Sequence, residues 1–271
     1  MSLYKITSQK LYQRRYAQNT IDNYLGYIAE FESKVGKHHS RLNSSDFQNY
    51  IDQYQFTSAS QQNIIISALK FAWEQALGKK YLKIDFTRPR KEKKLPKVID
   101  AELLATKIKA IENLKHKAIL ALGLSCGLRV SEVINLKWEH LDRNRNILNV
   151  INGKGKKDRC CILNDGIITL LKQYWYTFKK IDPQLNHKEY VFVGQNKPQY
   201  SASSIQKLVK KYLDQRMSYH WLRHSYSTYA LDNGTEMWAL SNSLGHNSTK
   251  TTESFYAHVS NRSLKTIKQA M

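Results

Sequence analysis

The densest group of side chains able to handle an anion lies in residues 219–259. His220, Arg223 and His224 stand at i, i+3 and i+4, a spacing that sets all three on one face of a helix. Leu244-Gly245-His246 follows, and Tyr256 comes ten positions after His246. A phenolic hydroxyl near a His/Arg face is a nucleophile beside a clamp for its electrophile. The plainer alternative, ordinary helix residues and a half-buried aromatic, stays open on these residues alone. Two imidazoles at i and i+4 also suit a metal, but Trp221 occupies the place where the metalloprotease pattern needs glutamate. No nearby cysteine or carboxylate completes a tetrahedral shell, so neither metal nor cofactor is expected.

The elements that must position these residues belong to a chain of 271 residues, enough for one or two domains with a substantial core. Lys and Arg number 43 against 22 Asp and Glu, a net charge of +21. That excess points to a polyanion partner, because each neutralised phosphate releases counterions; a merely solubilising basic surface is the competing reading. The sequence shows no apolar run of membrane-spanning length and no secretory leader, which places the protein in the cytoplasm by expectation. Three cysteines, Cys126, Cys160 and Cys161, suit a reducing compartment and are expected in the core.

Residues 1–86 read as a bundle of about four helices. Ile21, Tyr24, Leu25, Ile28 and Phe31 recur at helical spacing behind Asn19 or Thr20 as cap. Phe47, Tyr50, Ile51 and Tyr54 follow a start at residues 42–46, and a helix over 58–77 stops at Gly78. Residues 87–97 are basic, hold two prolines and lack periodicity, as a linker would. Beyond it, residues 98–271 form the second domain. Asp100 caps a helix, and an apolar helix over 116–126 ends at Gly127. Ser131 is placed to cap the next turn. Arg129 sits at that junction, where a guanidinium needs a partner, and the simplest is Glu132.

Residues 146–152 and 159–163 alternate as strands around Gly153-Lys154-Gly155, a hairpin whose glycines let Lys154 approach another surface; an exposed edge turn guarded by lysines is the bland alternative. A helix from Asp165 stops at Asp182-Pro183, and residues 190–193 form a short buried strand. Ser203 and Gln206 read as a capping box, and residues 261–271 as an amphipathic tail. The fold class is therefore mainly α with a small antiparallel β-sheet.

Ala121-Leu-Gly-Leu-Ser-Cys-Gly-Leu-Arg-Val-Ser-Glu132, Gly153-Lys-Gly-Lys-Lys-Asp-Arg159, His220-Trp-Leu-Arg-His224, Leu244-Gly-His246 and Tyr256-Ala-His-Val259 resemble, in order, the motifs of the tyrosine recombinases, the phage integrase family. The chain is most similar to Xer-type and simple-integrase members, with residues 1–86 resembling the helical core-binding domain and 98–271 the catalytic domain. The resemblance implies a site-specific recombinase that cuts and rejoins DNA by metal-free transesterification through a 3′-phosphotyrosine. It implies Arg129 and Arg223 on the scissile phosphate with His220 and His246, Lys154 protonating the leaving oxygen, and Tyr256 as nucleophile. One departure stands out: His246 and Tyr256 are ten positions apart where the family usually has nine.

By the same resemblance the expected partners are double-stranded DNA with core sites and a homo-tetramer on two such sites, with the 261–271 tail as a contact between protomers. The location would be nucleoid-associated, and the length leaves no room for an extra arm-binding domain. Two rivals remain at this stage. A type IB topoisomerase shares the Arg, Lys, His and Tyr constellation, and a DNA-binding protein with a degenerate site would share the charge.

Overall fold

The computed structural model describes residues 1–82, 85, 99–151, 158–181, 189–195 and 197–245. It divides into two compact units, Met1–Lys93 and Lys94–Met271. The basic 87–97 segment, the hairpin tip and the 261–271 tail lie outside the described residues.

The first unit is helical throughout its described residues: α1 (Leu3–Gln13), α2 (Gln18–Val35), α3 (Ser44–Gln53) and α4 (Ala59–Phe71), the last continuing as a π-helical turn over Ala72–Ala76. Buried Ile28, Phe31, Phe47, Ile65, Ile66 and Leu69 form its core, with the Phe31 and Phe47 rings 4.5 Å apart. Asn43 and Asp46 make the reciprocal cap of α3. The start of α2 differs from the expected cap: Ala17 occupies that position with no side-chain bond, and the Ala17 carbonyl receives the Thr20 and Ile21 amides. Chain direction there is set instead by Arg15, whose φ of 53° turns α1 back into α2. The helix expected over 58–77 is one continuous rod, but its last turns widen to π before Gly78 at φ 65°.

The second unit contains α5 (Ala101–Lys109), α6 (Leu114–Cys126), α7 (Val130–Ile134), the strands β1 (Leu141–Asp142), β2 (Ile147–Val150) and β3 (Arg159–Ile162), then α8 (Asp165–Ile181), α9 (Ala202–Tyr212), α10 (His220–Asp232) and α11 (Met237–Leu244). α6 is apolar on all sides and is therefore the central post, packed by α5, α8 and α10. The strands form one antiparallel sheet in the order β1-β2-β3, with Leu148 opposite Cys161 and Val150 opposite Arg159. β1, a two-residue strand, is too short to leave a period-2 signature in sequence.

Residues 190–193 differ from the expected strand. Val191 and Phe192 are fully buried, but the backbone pairing is irregular: a Lys137–Tyr190 bridge on one side and the Tyr200 N–H on the Phe192 carbonyl on the other. α9 is capped by Ser201, whose hydroxyl accepts the Ser204 amide, rather than by Ser203 with Gln206. Of the cysteines, Cys126 and Cys161 are buried, whereas Cys160 is exposed because it alternates to the outer face of β3.

Candidate active site

Arg129 owes its place to the end of α6. Gly127 takes a left-handed φ of 58°, and a Cβ there would fall 2.7 Å from the Tyr226 ring and 2.8 Å from Leu244. The chain can therefore reverse while α10 and α11 crowd against it. Arg129 is then the N-cap residue of α7, so Ser131, the expected cap, lies inside the helix. The capping carboxylate comes from Glu132, which accepts the Arg129 backbone N–H and its Nη1, each at 2.7 Å.

Glu132 also accepts two bonds from Arg159, from Nη1 at 2.8 Å and Nη2 at 2.7 Å. Both side chains are 5% exposed, so this fork-on-fork pair is effectively out of water. Burial alone would raise the Glu132 pKa. The hydrogen bonds and charge of Arg159, then the hydrogen bonds from Arg129, overcome it and hold the carboxyl at about 2.

The three guanidiniums converge on one helix end. Arg159 Nε donates to the Ser243 carbonyl at 2.7 Å, Arg223 Nη2 to Leu244 at 2.6 Å and Arg129 Nη2 to Gly245 at 3.1 Å. Consecutive unpaired carbonyls at the negative end of α11 thus hold Arg159, Arg223 and Arg129 side by side. Arg223 is tied from the other side by the Gly127 carbonyl at 2.6 Å and is 2% exposed. Burial, followed by the Arg129 charge, works against its cationic form. Arg129 and Arg159 share the Glu132 carboxylate while Arg223 is held by carbonyls alone, and an anion at Arg129 and Arg223 would relieve the remaining repulsion.

His220 and His224 open α10 with their rings 4.4 Å apart, edge to face. His220 is exposed and His224 half-buried. The Arg223 side chain runs inward to the carbonyls of Gly127 and Leu244. Of the six candidate residues, the structure brings Arg129 and Arg223 to adjacent carbonyls and sets His220 one helical turn before Arg223. Lys154, His246 and Tyr256 lie outside the described residues. The strands bounding Lys154 and the helix leading to His246 are described, and Arg159 joins them through Ser243.

Sequence reading gave Arg159 no role, although a signal was present. Arg159 alternates with Cys161 on the inward face of a strand, and an inward guanidinium requires a buried carboxylate. Glu132, three residues after Arg129, is that carboxylate, shared rather than reserved for Arg129.

The depressed Glu132 pKa carries a pH prediction. Its stabilising contribution is complete above the ordinary 4.5 and is lost as pH falls toward about 2. A shift of that size corresponds to roughly 3 kcal/mol. In urea titrations, Glu132→Gln is therefore less stable than wild type at pH 7, and the gap narrows as the pH drops through this window. A gap independent of pH would contradict the buried ion pair.

The chain is thus mainly α with a small antiparallel sheet, and its second unit gathers Arg129, Arg159 and Arg223 at the end of α11. Residues 97–262 match the phage integrase family, and residues 3–83 match the phage integrase N-terminal SAM-like domain. The chain belongs to the phage integrase family. It is 30% identical to tyrosine recombinase XerD of Staphylococcus aureus, over 92% of this chain and 90% of that protein. It is 27% identical to the putative integrase/recombinase y4qK of Sinorhizobium fredii, over 94% of this chain and 84% of that protein. Its fold is similar to that of XerH site-specific recombinase in a post-cleavage complex with palindromic difH substrate, with a TM-score of 0.71 at 18% identity over 91% of this chain and 78% of that one. Among the described residues no helix is long and apolar enough to cross a membrane.

Proposed function

We propose that the chain is a site-specific DNA recombinase that cuts and rejoins strands through a tyrosine. The observation that carries this reading is the placement of Arg129 and Arg223 on adjacent carbonyls beside the start of α10, in a chain whose relatives are named tyrosine recombinases. DNA is the partner that both the family and the net charge of +21 favour.

In this reading the guanidiniums of Arg129 and Arg223, with His220 and His246, bind the non-bridging oxygens of the scissile phosphate, where charge builds during displacement. Tyr256 Oη attacks phosphorus, its proton leaving to a neighbouring base in the cationic site. The bond to the 5′ oxygen breaks, and Lys154 supplies the proton that makes it a free hydroxyl. A 3′-phosphotyrosyl bond conserves the phosphoester energy, so a second strand's 5′ hydroxyl reverses the step and releases Tyr256. Fixed cations serve the role a divalent ion has in other phosphoryl-transfer sites. In this reading residues 1–86 are the core-binding domain and residues 98–271 the catalytic domain, and each contacts DNA. Strand exchange between two duplexes requires four cleavages, hence four protomers.

A suicide duplex carrying the recognition site tests the reading: a covalent adduct is expected in the presence of a chelator, and no adduct would refute it. Relaxation of plasmids lacking any site would instead favour a topoisomerase. Lys154→Ala is expected to slow cleavage of an ordinary 5′-oxygen substrate by about 10²- to 10⁴-fold, with recovery on a 5′-thio substrate whose leaving group needs no proton. Equal losses on both substrates would make Lys154 a phosphate contact.

A further inference from the structure

The side chain of Gln206 does not cap its own helix. It reaches from α9 to the connection before α10, where Nε2 donates to the Met217 carbonyl at 2.7 Å and Oε1 accepts the Tyr219 N–H at 3.1 Å. One amide thus bridges the backbone on both sides of Ser218, and a donor facing a carbonyl and an acceptor facing an N–H fix its orientation.

The residue it holds is the last before His220. Tyr219 serves as the N-cap position of α10 without a side-chain cap of its own, so an N–H at this helix start is satisfied by a neighbouring helix. Its other end is fixed as well. The Tyr219 hydroxyl donates to the Ile119 carbonyl at 3.1 Å, in a slot that exists because residue 123 is glycine; a Cβ there would lie 2.6 Å from that oxygen. α9 is in turn a firm support, with Ile205, Leu208 and Val209 in the core. Ser218 and Tyr219 carbonyls then accept the Trp221 and Leu222 amides, which starts the helix in the register that presents His220 and Arg223.

We infer that Gln206 is a positioning residue for the phosphate clamp: it sets the first turn of α10, and through it the placement of His220 and Arg223 relative to Arg129. This rests on the reading of those three residues as the clamp. Gln206 touches neither substrate nor reacting atoms. Its contribution is angular, and small displacements of a clamp reduce rate far more than they reduce binding.

The test is single-turnover cleavage of the suicide duplex at saturating protein by wild type, Gln206→Leu and Gln206→Glu, with the duplex Kd and the Tm measured for each. Leucine keeps the approximate volume and removes both bonds. Glutamate keeps the acceptor for Tyr219 N–H and loses the donor to Met217. The expected order of cleavage is wild type, then Gln206→Glu, then Gln206→Leu, with the last slowed about 10- to 100-fold, while Kd stays at the wild-type value and Tm falls by only a few degrees. If Gln206→Leu does not fold, Gln206→Glu decides alone, and it is expected to cleave more slowly than wild type at equal Kd. A folded variant cleaving at the wild-type rate would overturn the inference, as would a rate that falls only in step with Tm and Kd. Absence of adduct with the wild-type protein would count against the recombinase reading instead.

Discussion

Replacing Tyr256 with phenylalanine is expected to eliminate the covalent protein–DNA adduct while leaving duplex binding close to wild type. The substitution removes one oxygen and retains the ring, so packing around residue 256 changes little. Affinity draws on the charge excess of the whole chain, whose net value of +21 is unaffected, and its salt dependence is therefore expected to keep the same slope. Chemistry draws on a phenol, which ordinarily titrates near about 10 and needs a cationic surrounding to lose its proton at neutral pH. With the nucleophile gone, no second residue in the proposed set can form a phosphoester. The cleavage rate is expected to fall by roughly 10⁴-fold or more, the scale seen when a covalent nucleophile is removed. Residual adduct at wild-type levels would assign the nucleophile elsewhere.

The second large effect is on stability. Arg159→Leu removes both Arg159 bonds to a carboxylate that is 5% exposed and leaves Glu132 only those from Arg129. It also frees the Ser243 carbonyl from its 2.7 Å donor. Because Arg129 remains, the loss lies toward the lower end of the about 3–5 kcal/mol that removing one partner of a buried pair costs. For a unit of this size the loss lowers Tm on the order of 10 °C. Glu132→Leu combined with Arg159→Leu recovers part of that stability, since an apolar pair needs no compensation. Recovery is incomplete, because Arg129 also loses the carboxylate that orients it. Equal Tm values for wild type and Arg159→Leu would show that the pair is not the structural hub described. Cleavage is expected to fail in both variants, as Arg159 joins the strand following Lys154 to the end of α11 just before His246.

What was legible in the sequence follows from how local its cause is. The apolar helix ending at Gly127 was readable because a left-handed glycine after a continuous apolar run has few other uses, and Asp100 caps because its carboxyl group reaches amides two and three residues on. The Arg129–Glu132 contact was readable for the same reason of short range. Long-range polar contacts were not. Gln206 has the spacing of a local cap, yet its amide is spent on a segment eleven to thirteen residues away, which no periodicity reveals. The spacing of Arg223 gives no sign that the carbonyls of Gly127 and Leu244 hold its guanidinium. Convergence of three arginines on the end of α11 depends on helix packing, and motif order alone cannot show it.

The most direct measurement is to trap the adduct on a suicide duplex, digest protein and DNA, and locate the modified residue by mass spectrometry. A nucleotide joined through its 3′ phosphate to Tyr256 is the predicted product. Attachment to any other side chain, or through a 5′ phosphate, would contradict the proposed chemistry.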